Sequence, residues 1–342
     1  MMNMQRPDLS GIEPEVRAYI EALEAEVARL SPGGRQTKTA AAAPEPSEPP
    51  TTMNVITLSA GGVGKRTPRH LYGLQRRGGM GVFDLDNDED DPPAILTVAD
   101  ESRFILLFSN YGRAFRLPVE ALGESPVRSR GEPLAGRFQF RPHERLVAAL
   151  PGGGGAYVAL VSQRGWVRRV RGNYLGKSLI PGMSFHDAKE GGYLAAACWT
   201  PGDGDLFIAT RLGRGIRFKE SQVPTRGCRG MRIHVDDAAV AVAAVNSESG
   251  VFLLSGNGKG TVRLMTGFSA NKAPGAGGKV AMKTDNLVGA VAVSEEDDLF
   301  IISRLGKIIR FRAAEVPAKA GVVQGVHCIA LRADTAAAVC RA

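Results

Sequence analysis

The sequence predicts an all-β protein: a propeller-like ring of six short sheets, one per repeat of the chain, placed behind a short helix and a polar tether. Three observations predict it. An apolar strand ending in a Ser/Thr-x-x-Gly turn occurs six times, the copies lie 45–53 residues apart, and a stretch of Pro, Ala and Thr without periodicity separates them from one helical stripe near the N-terminus. Repeats of about 50 residues with several strands each bury their faces only by stacking on neighbours, and six such units can close a ring.

Residues 1–11 carry no periodic signal, and a helix is predicted over 12–30. Val16, Ile20, Leu23, Val27 and Leu30 recur at spacings of four and three, with glutamates between them and Pro14 in the first turn. β-Branched Ile20 and Val27 at one heptad position and Leu23 and Leu30 at the other suit a parallel two-stranded coiled coil, while two heptads equally suit a helix that docks on the body. The expected partner of the first arrangement is a second copy, in a weak homodimer through residues 12–30. Residues 31–53 follow as a Pro/Ala-rich tether, because such a composition cannot bury enough apolar surface to offset chain entropy.

The body, 54–342, is built from the copies VITLSAGG, ILLFSNYG, VALVSQRG, LFIATRLG, VFLLSGNG and LFIISRLG, ending at Gly62, Gly112, Gly165, Gly213, Gly258 and Gly306. A hydroxyl residue stands three before each glycine: Ser59, Ser109, Ser162, Thr210, Ser255 and Ser303. That pair predicts a hairpin turn whose closing residue is left-handed, so the glycines are conformational requirements. The strand after each turn is basic. Arg66, Arg116, Arg169, Arg217 and Arg310 stand four past the glycine and Arg263 five past, joined by Lys65, Arg113, Arg168, Arg214, Lys259 and Lys307. Edge protection alone would be met by Glu, Thr or Lys as well. An arginine at one offset therefore predicts that these twelve side chains face outward and form a belt around the ring.

Charge agrees with a polyanionic partner. The 342 residues carry Lys+Arg 43 against Asp+Glu 35, a net of +8 with a pI near 9.5. The first 53 hold 5 basic and 8 acidic groups, which leaves 38 and 27, a net of +11, for the body. No stretch approaches the ~20 apolar residues that span a bilayer, and the start MMNMQRPDLS has no signal-peptide pattern, so the expectation is a cytoplasmic, nucleoid-associated protein without membrane contact. Cys198, Cys228, Cys328 and Cys340 lack metal-ligand spacing and read as thiols in a reducing compartment.

Other motifs fail. GGVGKRT at 61–67 has Ser59 and Arg66 where a Walker A loop needs Gly and Ser/Thr, and GNGKGT at 256–261 ends in Thr261 where G-x-G-x-x-G needs Gly. Asp84, Asp86, Asp88 and Asp90 alternate like a calcium loop, but Glu89 and Ile95 replace its Gly and Glu, leaving a solvated acidic loop. The dispersed histidines assemble no catalytic set, and neither cofactor nor metal is expected.

One motif persists: QRRGGMG, with Gln75, Arg76, Arg77, Gly78, Gly79 and Gly81, inside the first repeat. Arginines backed by glycines let guanidinium forks and backbone amides approach phosphates closely. This heptad resembles the box of the DNA gyrase A subunit, usually QRRGGKG, and the six hairpins resemble the blades of that subunit's C-terminal β-pinwheel; FKESQVPTRGCRGMRI (218–233) is similar to one of its inter-blade segments. The resemblance covers residues 54–342 and implies a six-bladed pinwheel that binds double-stranded DNA on a basic rim and bends it around itself. Met80 departs from it where the family has Lys or Arg, and six acidic groups at 84–91 follow the box and are expected to act as a brake on DNA approach.

The gyrase A catalytic core carries an Arg-Tyr pair, whereas 53 residues precede this body and none of the six tyrosines of the chain follows an arginine. The expectation is therefore a non-enzymatic DNA-bending protein, working as an architectural element or beside a separate gyrase or topoisomerase IV core. The competing expectation is a protein-interaction propeller that regulates a topoisomerase without wrapping DNA.

Overall fold

The computed structural model describes residues 13–30, 48–86 and 88–342. The chain divides into two units at Glu45/Pro46. In the first, a helix runs Pro14–Leu30, with Arg17 Nε 3.2 Å from Glu21 Oε1 one turn on and Val16, Tyr19 and Leu23 exposed. The predicted N-terminal stretch 1–11 and most of the tether lie outside the described residues.

The second unit is six sheets, antiparallel except for one short parallel pairing in the fifth. In the first, the hairpin Met53–Ser59 and Val63–Pro68 lies between an inner strand, Pro93–Asp100, and an outer strand, Glu132–Pro133. That outer strand comes from the next repeat. The chain thus leaves each hairpin, passes as a strap along the edge of the preceding blade, and returns to form its own inner strand. The same exchange places Met183–Ser184 on the second hairpin, Cys228–Arg229 on the third, Lys279–Val280 on the fourth and Val326–His327 on the fifth, where Ala318–Lys319 adds a short parallel pairing. The ring closes when Val82–Phe83, from the first repeat, pairs with Lys307–Ile308 of the sixth hairpin.

The inner strands meet one another in ring order, the sixth (Ala336–Arg341) against the first. Their sequences, among them LAAACWT, AVAVAAV and AAAVCR, are small because six strands converge there. They enclose a central cavity of about 560 Å³. The larger apolar side chains fill the spaces between blades. Ile56 and Leu58 of the first blade pack with Leu107 and Phe115 of the second, and Val55 and Leu96 pack with Phe300 and Ile302 of the sixth.

The turns form as the repeat predicts. Each glycine N–H donates to the carbonyl of the hydroxyl residue three before it, from 2.8 Å at Gly112 to 3.3 Å at Gly62, and all six glycines have φ between 71° and 92°. The hydroxyl oxygen accepts from the N–H four residues on in five of the six turns, including Val63 N–H to Ser59 Oγ at 2.9 Å and Lys307 N–H to Ser303 Oγ at 3.0 Å. The glycine carbonyl then accepts from the strap, as from Asp84 N–H at Gly306 (2.7 Å). A Cβ at Gly213 would lie 2.2 Å from Met282 O in the strap, so close approach as well as positive φ excludes a side chain there.

Residues 48–52, expected in the tether, belong to the propeller. Glu48 bonds Arg69 Nε (2.9 Å) in the first blade and Arg310 (2.8 Å) in the sixth, and Thr52 donates to Asp100 (2.5 Å). Burial opposes ionisation of Glu48, but hydrogen bonds from Arg310 and Arg69 outweigh it and hold the carboxyl below its usual range.

Candidate nucleic-acid interface

The arginines at the repeating offset do not face solvent. Arg66, Arg217, Arg263 and Arg310 are buried, and Arg116 and Arg169 half-buried. Four of them latch one blade to the next at the short 3₁₀ turn that follows its hairpin. Arg66 Nε donates to Leu122 O (3.0 Å), Arg169 to Val223 O (3.3 Å), Arg217 to Met265 O (2.9 Å), and Arg310 to Tyr72 O (3.2 Å), the last across the closure. Asp205 and Asp298 neutralise Arg217 and Arg310 at 2.7 Å. Arg116 instead lies 4.0 Å over the Phe104 ring, and Arg263 donates to Gly267 O in its own blade (3.2 Å). The expected outward belt is corrected for a physical reason: the second hairpin strand is not the edge of its sheet, because the strap covers it.

The accompanying basic residues mostly hold the straps. Arg113 donates to Gly182 O and pairs with buried Glu144, Arg168 donates to Thr225 O and Phe185 O, and Arg214, though exposed, donates to Gly277 O and Gly278 O. Lys259 and Lys307 are half-buried, Lys307 Nζ lying 5.4 Å from the Phe83 ring centroid. Lys65 is fully buried. Its ammonium lies 2.8 Å from Asp84 Oδ1 and donates to the Pro126 and Val127 carbonyls, while Thr57 and Tyr72 hydroxyls donate to Asp84. Burial pushes the Lys65 ammonium down, against the pull of Asp84.

The acidic run is therefore shorter than the sequence suggests. Asp84 is core, and Asp91 caps the first hairpin turn, accepting from Ser59 Oγ (2.5 Å) and Gly61 N–H (2.8 Å). Asp86, Asp88, Glu89 and Asp90 remain exposed.

The box leads into the closing strand. Gln75 N–H donates to Arg310 O (2.8 Å), Gly78 N–H to Cys328 O (2.7 Å), and Ala330 N–H to Gly79 O (2.8 Å), so the loop is laced to the last repeat. Gly78 and Gly81 have φ of 79° and 68°, and a Cβ at Gly81 would lie 2.6 Å from Ile308 O. The two arginines separate in role. Arg77 turns inward, donating from Nε to Glu315 O (2.7 Å) and from a terminal nitrogen to His327 O (3.2 Å). Arg76 is exposed, as is Met80 at 63%.

What the sequence reading missed is the straps themselves. Exposed cations stand on each: Arg76 on the first, Arg128 and Arg130 on the second, Lys177 on the third, Arg226, Arg229 and Arg232 on the fourth, Lys272 and Lys279 on the fifth, Lys319 on the sixth. None of these pairs with a carboxylate among the described residues. The fourth strap could have been found, since PTRGCRGMRI is free of acidic residues between two strongly patterned repeats.

The sequence model of the family described as DNA gyrase C-terminal domain, beta-propeller matches residues 54–91, 103–151, 204–246 and 297–336. The chain is 27% identical over 304 residues to the DNA gyrase A subunit of Mycobacterium bovis BCG, covering 84% of this chain and 36% of that protein. It is 28% identical over 294 residues to that of Chlamydia trachomatis, covering 81% and 35%. It thus spans about a third of the length of these curated relatives. Among solved structures, a DNA gyrase A C-terminal domain superposes with a TM-score of 0.72 at 21% identity, covering 84% of this chain and 99% of that one. The C-terminal domain of a DNA topoisomerase IV gives 0.60 at 18% identity, covering 84% and 93%. No described helix is long and apolar enough to cross a membrane.

Proposed function

The repeat body of this chain belongs to the DNA gyrase C-terminal domain family, and from that premise we propose that it binds duplex DNA along the outer straps and bends it around the ring without cutting a strand. The observation that carries this reading is that every one of the six straps bears an exposed cation with no carboxylate partner among the described residues. Phosphates are met by charge at a regular spacing, and no base edge need be read. The inter-blade latches give the rim its stiffness. Smooth bending of a short duplex through 40–90° costs on the order of 1–6 kcal/mol, which a preformed row of contacts offsets better than a flexible one. The protein would serve as an architectural element or beside a type II topoisomerase core; a plasmid topology assay with and without a gyrase core separates the two.

Salt dependence tests the binding. One phosphate per strap gives a slope of log K against log salt of about −5 or steeper, from ~0.9 per contact. A slope near zero in a duplex titration overturns the proposal.

The box makes a second, divided prediction. Arg76→Ala should weaken duplex binding with the melting temperature unchanged. Arg77→Ala should lower stability by roughly 1–3 kcal/mol, because two backbone carbonyls lose a charged donor. Equal effects of the two substitutions on binding and on melting would show that the structural division is wrong.

A further inference from the structure

Between the hairpin turns of the second and third blades, and walled mainly by the adjoining straps, lies an open cavity of about 880 Å³. Its walls are Tyr111, Arg141, Arg164, Arg168, Lys189 and Tyr193, with Asp187 the carboxylate among them. Asp187 is engaged, its Oδ1 accepting the Lys189 N–H at 2.8 Å. Arg168 is engaged too, with the Thr225 and Phe185 carbonyls. Arg141, Arg164 and Lys189 are exposed and their charged groups have no partner among the described residues. The stem of Arg164 lies over Gly192, where a Cβ would come within 3.1 Å of its Cγ and Cδ, so bare backbone seats this side chain at the rim. Tyr111 and Tyr193 meet edge to face, with centroids 5.5 Å apart, and Tyr193 keeps 47% of its surface exposed.

Three free cations around a fixed, half-exposed ring favour a ligand with an anionic group beside a planar face. We propose that this cavity binds a nucleotide unit, its phosphate among Arg141, Arg164 and Lys189 and its base stacked on Tyr193. Its size lies within the range of small-ligand sites, and base stacking on an aromatic side chain with cations tracking the phosphate is how unpaired strands are held. A duplex cannot supply the ligand, because its base faces are already stacked inside. The site is therefore distinct from the strap rim, and it does not rest on the rim's reading. The same chemistry comes from a free mononucleotide or from a single strand.

The test is an anisotropy titration of the full chain with a labelled ten-nucleotide dT strand, with AMP and inorganic phosphate as competitors and duplex binding measured in parallel. Tyr193→Leu, and separately the pair Arg164→Gln and Lys189→Gln, should each weaken the single strand about tenfold. Tyr193→Phe should retain it, and duplex affinity should stay within about twofold. Displacement by AMP identifies a mononucleotide site, and a strand that AMP does not displace identifies a single-strand site; both support the proposal. Unchanged strand affinity in Tyr193→Leu, with the fold intact by thermal melt, overturns it. So does displacement by inorganic phosphate as effective as by AMP, since the ring would then contribute nothing.

Discussion

Asp84→Ala is expected to destabilise the propeller by about 3–5 kcal/mol, the usual cost of leaving one member of a buried ion pair without its partner. Lys65 and Asp84 both have no exposed side-chain surface, and among the described residues the Lys65 ammonium has only Asp84 and nearby carbonyls to satisfy it. The position adds to the effect. Asp84 follows the strand Val82–Phe83 that closes the ring, and its N–H donates to Gly306 O in the last hairpin. The pair therefore ties the seam to the first blade. Removing both charges with Lys65→Met and Asp84→Ala should recover part of the loss, but not all, since the Pro126 and Val127 carbonyls and the Thr57 and Tyr72 hydroxyls would lose partners. Urea melts of the four proteins in a double-mutant cycle measure the coupling. An Asp84→Ala protein within about 1 kcal/mol of the parent would show that the pair does not hold the seam.

The repeat was legible because its signals are local. The Ser/Thr-x-x-Gly pair that ends each apolar strand prescribes a turn, and those six glycines do adopt positive φ. The helix at Pro14–Leu30 was legible from its stripe for the same reason. What the sequence could not show was which strand would cover which. Arg217 reads as an outward residue when the hairpin is considered alone; it becomes a buried latch because a strap from the next repeat lies over it and Met265 O of the next blade faces it. Asp84 reads as the first member of an acidic loop and is drawn into the core by Lys65, nineteen residues earlier. Strand exchange between repeats is a long-range property, so residue spacing within one repeat carries no record of it. The inter-blade segment 218–233 did signal a shared element, and its basic part, Arg226 to Arg232, carries three exposed arginines and no acidic residue.

A DNA path along the straps and one along the hairpin arginines respond oppositely to two substitutions. Replacing Arg226, Arg229 and Arg232 by Gln should leave the fold intact, since the three are exposed and none pairs with a carboxylate among the described residues. Each that meets a phosphate contributes ~0.9 to the salt slope, so the slope should become shallower by about 2–3. At 0.1 M salt the same counterion release is worth about a factor of eight per contact, and duplex affinity should fall by between two and three orders of magnitude. Arg169→Gln should do the reverse. Its guanidinium donates to Gly202 O and Val223 O and lies 3.5 Å from buried Glu220, so the melting temperature should drop while the slope is preserved in the folded protein. A titration over several salt concentrations, run beside a thermal melt, separates a cation that touches DNA from one that holds a blade. If the strap variant binds like the parent and Arg169→Gln loses the salt slope, the DNA path does not follow the straps.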